Sequence, residues 1–544
     1  MDRISLDALC GRVRREHIPV VAHSADAVAG CVYVVLPPAL PAGKAAGAPG
    51  GERFLAEALR AGPSAVLCAP EHLPLLEHCA AEHCPLPEHC APEHPPLPAS
   101  SASERLSLLE SPAASVPHRS GQNPDARLSV VIVNDPRTAL GRLACALYDT
   151  DRQCPEVVGI TGTNGKTTIS YLLESMLSAQ GCGVGVIGTI NRRWPGYEEE
   201  SSLTTPDCLT VHSMLARMHA AGAQYALMEV SSHALDQQRI AGVRFAAALF
   251  TNLTRDHLDY HADMEDYFLA KEKLFLPPER GGTPPADKRR AANADDPYGR
   301  RLLASFPEVL GFGLEENATG RPDAGLLRGR VLSMSREGLL LSMRHEGREW
   351  TLRSPLVGDF NAANLLAAQA AGLALGMAAE DFAALSAFTG VPGRLERVPN
   401  GRGLHLFVDY AHTPDALTKA LSALRAAGFA RVVTVFGCGG NRDRAKRPLM
   451  GAAVAALSDV AVLTSDNPRD EDPEAVMDDV LPGLAGCPRV IREADRKKAV
   501  LLALDLLGRE DALLVAGKGH EPYQLIRGVK YPFSDRAVLA EAAR

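Results

Sequence analysis

The sequence predicts an α/β chain of several domains built on mostly parallel sheets, and three observations carry that prediction. At 544 residues the chain is long enough for about three to four domains of roughly 100–200 residues each. Short apolar runs alternate with segments of helical periodicity, and the alternation starts twice, at Glu156 and again after about residue 395. Alternating strand–helix units form parallel sheets with ligands at the carboxyl ends of the strands. Hydrophobic residues make up 46% of the chain and charged residues 22%, so each domain can bury a core.

Taken in order, the first strands are Val32–Leu36 and Val130–Val133. Between them, Glu71 to Ser100 reads as an 11-residue repeat with Glu-His pairs at 71, 77, 82, 88 and 93, and Pro and Ser dominate until about Ala126. Five His and three Cys (Cys79, Cys84, Cys90) in this tract could bind a soft metal. The spacing repeats like a tandem duplication, however, and matches no closed four-ligand site. The expectation is a Pro-rich surface insertion without a packed core, dispensable for activity.

Glu156–Thr161 is an apolar strand leading into a Gly-rich turn. Behind it, Ile169, Leu172, Leu173, Met176 and Leu177 share one helical face, and Gly181 stands where a helix C-terminal cap belongs. Val184–Ile187, Tyr225–Val230 and Ala246–Phe250 read as further buried strands. Leu276–Ala291 reads as a surface loop, and Pro392-Gly393 as a hinge between two sheets. The second sheet takes Leu404–Val408, Val432–Phe436, Val460–Leu463 and Ala512–Val515, with helical patterns such as Ala416–Ala427 between them.

The charge balance of 57 − 65 = −8, with no Lys/Arg-rich run, argues against nucleic-acid binding. The first residues mix acids and bases without a signal-peptide core. The most apolar stretch, Leu365–Ala379, contains Gln369 and is too short to span a bilayer. Twelve scattered Cys fit reduced thiols. A cytoplasmic monomer without membrane insertion is expected.

The strongest local signal is Gly159-Ile-Thr-Gly162-Thr163-Asn164-Gly165-Lys166-Thr167-Thr168. Glycines let backbone N–H groups approach phosphate oxygens, the following helix N-terminus adds positive potential, and Lys166 neutralises β/γ charge. Thr167 can hold magnesium through its hydroxyl. Glu229 ends an apolar strand, where its carboxylate can reach the same ion. Asp256, His257, Asp259 and His261 supply four further potential metal ligands within six residues, the alternative being an ordinary acidic loop. These features predict a nucleoside triphosphate site.

The run Gly162–Thr168, then Glu229-Val-Ser-Ser-His233 and Asn252-Leu-Thr-Arg-Asp-His257, resembles the Mur ligases of peptidoglycan synthesis. Further matches follow in family order at Gly358–Asn364, Pro392–Arg394, Val408–Asp415 and Gly517–Glu521. The Asp466-Asn467-Pro468-Arg469 turn is similar to the marker of the branch that adds meso-diaminopimelate rather than lysine. The resemblance implies three domains. These are an N-terminal UDP-sugar-binding α/β domain (1–154, with the insertion at about 70–126), a central phosphate-loop NTPase-like domain with a mostly parallel sheet (155–395), and a C-terminal Rossmann-like domain (396–544).

It also implies an ATP-dependent carboxylate–amine ligase working through an acyl phosphate on UDP-N-acetylmuramoyl-L-Ala-D-Glu. Lys166, Glu229, His257 and Lys271 would be the catalytic set. Thr167 and Glu229 would hold one Mg2+ and His257 the other, with Lys271 carbamylated by carbon dioxide into a metal-facing carboxylate. Lys273 lies close by, and the fourteen-residue step from His257 favours Lys271.

Gly162 to Thr168 would cradle ATP, with Asn364, Arg394 and Asp409 at adenine, γ-phosphate and ribose. Thr204, Thr205, Ser231, Gln237 and Arg239 would hold the UDP-muramoyl dipeptide. Arg442, Arg469, Asn467, Pro468 and Gly517 would receive the diaminopimelate, and Asp466 or Glu521 its ammonium groups. The N-terminal region departs from the family, since its usual Asp-Ser-Arg is His23-Ser24-Ala25 here, leaving Ser24 as the candidate uridine contact. A lysine-adding, D-Ala-D-Ala-adding or folylpolyglutamate ligase, and a non-catalytic nucleotide switch, are the alternatives.

Overall fold

The computed structural model describes residues 2–36, 55–61, 63–73, 76, 128–277, 282, 289–314 and 325–544. Apart from its first few residues, the Glu-His-Cys tract lies outside the described residues, as does most of the 276–291 loop. The chain forms two compact units. One comprises Met1–Arg152, Cys208–Ser213 and Gln237–Gly242, and the other holds the remainder.

In the first unit a parallel five-stranded sheet runs in the order Asp2–Arg3, Ser129–Ile132, Ala65–Cys68, Val32–Val34, Val20–Val21. Leu9 and Val13 on helix Leu6–Glu16, and Leu140 and Leu143 on helix Pro136–Tyr148, bury against it. The second helix starts sharply because Asp135 caps the amides of Arg137 and Thr138 and proline fills the first turn. The expected boundary at 154 falls two residues past Arg152. The unit also takes two segments that sequence order assigned to the central domain. Ala241 meets Gly141 so closely that a Cβ there would lie 2.6 Å from it. His212, fully buried, joins Thr150 Oγ1 (2.6 Å) and the Ala241 carbonyl (2.8 Å).

The larger unit contains an 11-stranded sheet. Its centre is Glu156–Thr161, parallel to Phe245–Phe250 on one side and Tyr225–Glu229 on the other. Antiparallel strands close both edges, Asn191–Trp194 with Tyr197–Glu200 and Gly338–His345 with Arg348–Ser354. Helices Lys166–Ala179 and Asp359–Ala374 pack in the same core. The second explains the apolar stretch at 365–379. It is a core helix, and Gln369 is paid for by bonds from Trp350 Nε1 (2.8 Å) and to the Leu365 carbonyl (3.1 Å). No helix among the described residues is long and apolar enough to cross a membrane.

The last sheet runs Glu396–Arg397, His405–Asp409, Ala512–Ala516, Val432–Phe436, Val460–Leu463, Val490–Arg492, parallel except for its first strand. The strand predicted from Leu404 begins one residue later, because Asn400 Oδ1 ties the Leu404 amide into the preceding turn. Pro392-Gly393 is firmly anchored. Gly393 receives the Tyr410 N–H (2.8 Å) and donates to Glu396 (2.9 Å).

Beneath this sheet's carboxyl end, fully buried Arg496 forms a fork on Asp535 (2.8 Å twice) and donates to the Ala516 carbonyl (2.9 Å). Removing one partner strands a buried charge. Arg496→Ala is therefore expected to cost about 3–5 kcal/mol in urea unfolding. The double change Arg496→Met with Asp535→Leu should recover most of that loss; no recovery would refute the charge argument.

Candidate active site

The phosphate loop sits at the carboxyl end of the central strand, where the backbone leaves the sheet and turns into helix Lys166–Ala179. Gly162 (φ +141°) and Gly165 (φ +89°) adopt conformations closed to other residues. A Cβ at Gly162 would lie 1.9 Å from Thr251 Oγ1, and one at Gly165 would lie 2.4 Å from Asn364 Oδ1. The loop is fastened from the facing strand end. Thr163 N donates to Asn252 O (2.8 Å), Asn164 N to Asn252 Oδ1 (3.0 Å), and Thr251 Oγ1 to Asn164 O (2.6 Å). Lys166 Nζ folds onto the carbonyls of Gly162 (2.9 Å) and Thr163 (3.0 Å). Burial pulls its amine below the ordinary lysine value, against the opposing charge of Glu229.

Glu229 is buried at the end of its strand. It accepts from Thr167 Oγ1 (2.9 Å), the Thr189 amide (2.9 Å) and Thr189 Oγ1 (2.9 Å). Sequence reasoning missed Thr189, which lies in no motif and reaches the site because it follows strand Val184–Ile187, the neighbour of the Glu229 strand. Thr189 in turn contacts Thr204 Oγ1 (3.1 Å). Thr205 Oγ1 bridges the Glu229 carbonyl (2.8 Å) and the Ser231 amide (3.1 Å), so Thr204, Thr205 and Ser231 gather beside Glu229.

Gln237 and Arg239 belong to the first unit, where the Arg239 guanidinium donates to Gln237 Oε1 (2.8 Å) and Arg137 holds the Gln237 carbonyl (3.1 Å). Ser24 opens a short turn of helix in that same unit.

The acidic cluster at 256–261 does not converge as a metal site. Among the described residues no three His, Cys, Asp or Glu side chains do so. The turn sends them apart: His261 points inward to Ser232 Oγ (2.9 Å) and Asp266 (3.2 Å), while Asp256 and Asp259 stay at the surface. His257, with φ +53°, stacks edge-on against His233 (5.0 Å) and faces the Tyr267 ring (5.9 Å). Burial, reinforced by the charges of Lys271 and Lys166, lowers its imidazole below the usual value, with Asp256 opposing.

Tyr267 also carries the Lys271 ammonium over its ring (4.6 Å). Lys271 is buried and donates to the Gly162 carbonyl (3.0 Å), whereas Lys273 pairs with Asp236 at the surface (3.0 Å). Burial and the Lys166 charge push the Lys271 amine well below the ordinary lysine value.

The donor set at Thr167 and Glu229 fits magnesium, which takes hard oxygen ligands and keeps several waters. Lys271 as an ammonium does not fit beside a cation, and only a carbamate on it would.

Asn364 rests against Gly165 and donates to Asn361 Oδ1 (3.2 Å). Asp409 accepts the amides of Leu395 (2.5 Å) and Ala411 (2.7 Å), and burial raises its carboxyl against the pull of Arg394. Arg394 lies over the Tyr410 ring (5.4 Å).

At the far sheet, Asp466 and Asn467 lie in the loop that follows strand Val460–Leu463 and are buried. Asp466 Oδ2 has no hydrogen-bond partner among the described residues and sits 3.9 Å from Arg496. A Cβ at Gly517 would lie 2.3 Å from that oxygen, so only glycine leaves it room. Asn467 donates to Glu521 (2.9 Å) and accepts from Lys518 Nζ (3.0 Å), a fully buried lysine that also pairs with Glu521 (3.1 Å). With its charge so matched, Glu521 is the poorer ammonium candidate and Asp466 the better.

Arg469 Nη1 donates to the Gly440 carbonyl (2.8 Å), which brings it against the Gly439–Arg442 loop. Arg442 is exposed there, and Pro468 packs its carbonyl against Gly440. Buried Arg447 braces both loops, donating to the Gly439 carbonyl (3.3 Å) and pairing with Glu471 (2.8 Å), and it also pairs with Asp479 (2.8 Å) on helix Pro473–Val480.

The Mur ligase middle domain matches residues 160–372, and the Mur ligase glutamate ligase domain matches residues 393–519. The chain is 56% identical over 409 residues to the UDP-N-acetylmuramoyl-L-alanyl-D-glutamate--2,6-diaminopimelate ligase of Lawsonia intracellularis, covering 75% of this chain and 83% of that relative. It is 43% identical to the ligase of the same name from Aquifex aeolicus over 417 residues, 76% of this chain and 83% of the relative.

A solved structure of a ligase with that name superposes with a TM-score of 0.63 at 28% identity, over 96% of this chain and 94% of the other. A folylpolyglutamate synthase from Mycobacterium tuberculosis shares the fold, with a TM-score of 0.51 at 20% identity over 70% of this chain and 92% of its own. With both domain signatures falling on the phosphate loop, Glu229 and the Asp466–Arg469 turn described above, the chain belongs to the Mur ligase family.

Proposed function

We propose that this protein is an ATP-dependent ligase that joins meso-2,6-diaminopimelate to the D-Glu carboxylate of UDP-N-acetylmuramoyl-L-alanyl-D-glutamate, in peptidoglycan precursor synthesis. The observation that carries this reading is the cage around Glu229 at the mouth of the phosphate loop. A carboxylate held by Thr167 and Thr189 lies next to two lysines gathered on one loop carbonyl. Such a site neutralises a transferring phosphoryl group, which asks mainly for positioning and charge. Magnesium at Thr167 and Glu229 would supply Lewis-acid neutralisation of the phosphates. The 56% identity to a ligase named for diaminopimelate supports the choice of acceptor.

In this reading Lys166 and the loop amides hold the γ-phosphate while the D-Glu carboxylate attacks it, and an acyl phosphate forms as ADP leaves. The free amine of the acceptor then attacks the acyl carbon and expels phosphate. Thr204, Thr205 and Ser231 would orient the dipeptide, and Gln237, Arg239 and Ser24 the rest of the nucleotide sugar. Gly162–Thr168, Asn364, Arg394 and Asp409 would hold ATP. Lys271, whose charged form is disfavoured by burial and by the neighbouring Lys166 charge, is suited to capture carbon dioxide as a carbamate facing His257. The protein would act as a cytoplasmic monomer in three regions, 1–154, 155–395 and 396–544.

Phosphate release with ATP, magnesium and the UDP-muramoyl dipeptide tests the reading, with meso-diaminopimelate and L-lysine added in parallel. A tripeptide product formed with diaminopimelate supports it. Turnover with lysine alone overturns the acceptor, and no acceptor-dependent turnover overturns the ligase. Arg469→Ala should raise KM for diaminopimelate about 10–100-fold, the worth of a charge-assisted fork, and leave KM for ATP unchanged. An unchanged diaminopimelate KM would remove Arg469 from the acceptor site.

A further inference from the structure

The Asp466–Arg469 turn is held from one side by a hairpin. Strands Tyr523–Ile526 and Val529–Pro532 pair antiparallel across Arg527-Gly528. Both turn residues have positive φ (+48° and +77°), the two-residue turn that suits strand twist. The pair forms a sheet of its own, and its outer strand is exposed along its length. A lone two-stranded hairpin is marginal in water. This one gains an edge from the turn: the Arg469 N–H donates to the Leu525 carbonyl (3.0 Å), and the Arg527 N–H donates to the Arg469 carbonyl (2.7 Å).

Side chains extend the seam. Gln524 Nε2 donates to the Asp466 carbonyl (2.8 Å), and the Leu525 N–H donates to Asn467 Oδ1 (2.9 Å). Arg469 itself is in the left-handed region (φ +52°), a conformation that a long side chain keeps only when neighbours fix it. Its main chain is therefore set by the hairpin, and the start of its side chain with it.

We propose that the hairpin Tyr523–Pro532 is a specificity element of the acceptor site. By clamping the backbone of Asp466–Arg469, it aims the Arg469 guanidinium at the second carboxylate of a diamino-dicarboxylic acid and so sets the preference for that acceptor over lysine. Gln524 is its main positioning residue. The inference rests on the reading of Asp466–Arg469 as the acceptor turn.

Two variants loosen the hairpin from separate places. Gln524→Ala removes the seam bond to Asp466. Gly528→Ala strains only the turn, since a Cβ there meets nothing within 4 Å. Steady-state kinetics of the full-length enzyme with ATP, diaminopimelate and lysine give the readout. Each variant should raise KM for diaminopimelate about tenfold and lower the diaminopimelate-to-lysine ratio of kcat/KM by the same factor, with kcat and KM for ATP within about twofold of wild type. Hydrogen exchange at the Arg469 and Arg527 amides reports that the seam has opened.

Opened amides with unchanged KM and unchanged ratio overturn the proposal, as does an equal loss of kcat with both acceptors. A wild-type enzyme that prefers lysine overturns the acceptor reading itself, and the proposal with it. That result is visible before any variant is made.

Discussion

Replacing Lys166 by alanine is expected to lower kcat by about 10³-fold, the scale on which removal of a preorganised charge acts at a transition state. The amine rests on the carbonyls of Gly162 and Thr163 (2.9 and 3.0 Å) at the start of the helix. That placement stations one positive charge where the γ-phosphate gathers negative charge during transfer. Lys166→Arg should not restore activity, because a planar fork is not a point charge and does not fit the same two carbonyls. Steady-state phosphate release with saturating ATP and acceptor measures the effect. A loss below tenfold would show that the loop amides and the helix terminus carry the phosphate without it. Thermal unfolding should change little, since Lys166 pairs with loop carbonyls and its burial disfavours the charged form.

The second large effect is expected at Lys271. Lys271→Ala should cost at least about 10²-fold in turnover, and millimolar formate or acetate should restore part of it by placing a carboxylate where the carbamate would stand. Lys273→Ala is the control: that lysine pairs with Asp236 at the surface, where ion pairs contribute roughly 0–1 kcal/mol, so activity should stay near wild type. The intact protein prepared with bicarbonate should carry the added mass of one carbon dioxide, and Lys271→Ala should not. Full activity of Lys271→Ala, or rescue equally by chloride, would reject a carboxylate at this position. The variant should fold, because it deletes a buried amine whose only protein hydrogen bond among the described residues is to the Gly162 carbonyl.

Much of the central fold was legible because buried strands and glycine turns leave strong local marks. Glu156–Thr161, Val184–Ile187, Val432–Phe436 and Val460–Leu463 fall where the apolar runs put them, and Gly181 takes the positive φ expected after its helix. The phosphate loop was legible for the same reason, as its glycines, lysine and threonine are contiguous. At 256–261 the sequence shows four potential ligands within six residues, yet adjacency in a turn says nothing about where side chains point, and His261 is turned into the core by Ser232 and Asp266. Thr189 and Lys518 were missed because each acts across a strand boundary or from within a motif better known for its glycines.

The sequence by itself determined the α/β class, the phosphate-binding chemistry and the family, because periodicity and contiguous motifs are properties of short segments. The tertiary structure supplied the physical difference between Lys273 and Lys271, which the step from His257 already favoured, since burial against Gly162 depends on how helix Met264–Glu272 lies on the loop. Only it moved Gln237–Gly242 into the first unit, through the close approach of Gly141 and Ala241 and the bond from His212. And only it joined a turn at 466–469 to a hairpin more than fifty residues on. Such pairings arise from sheet edges and buried polar groups finding partners in space, and the linear spacing of residues does not contain them.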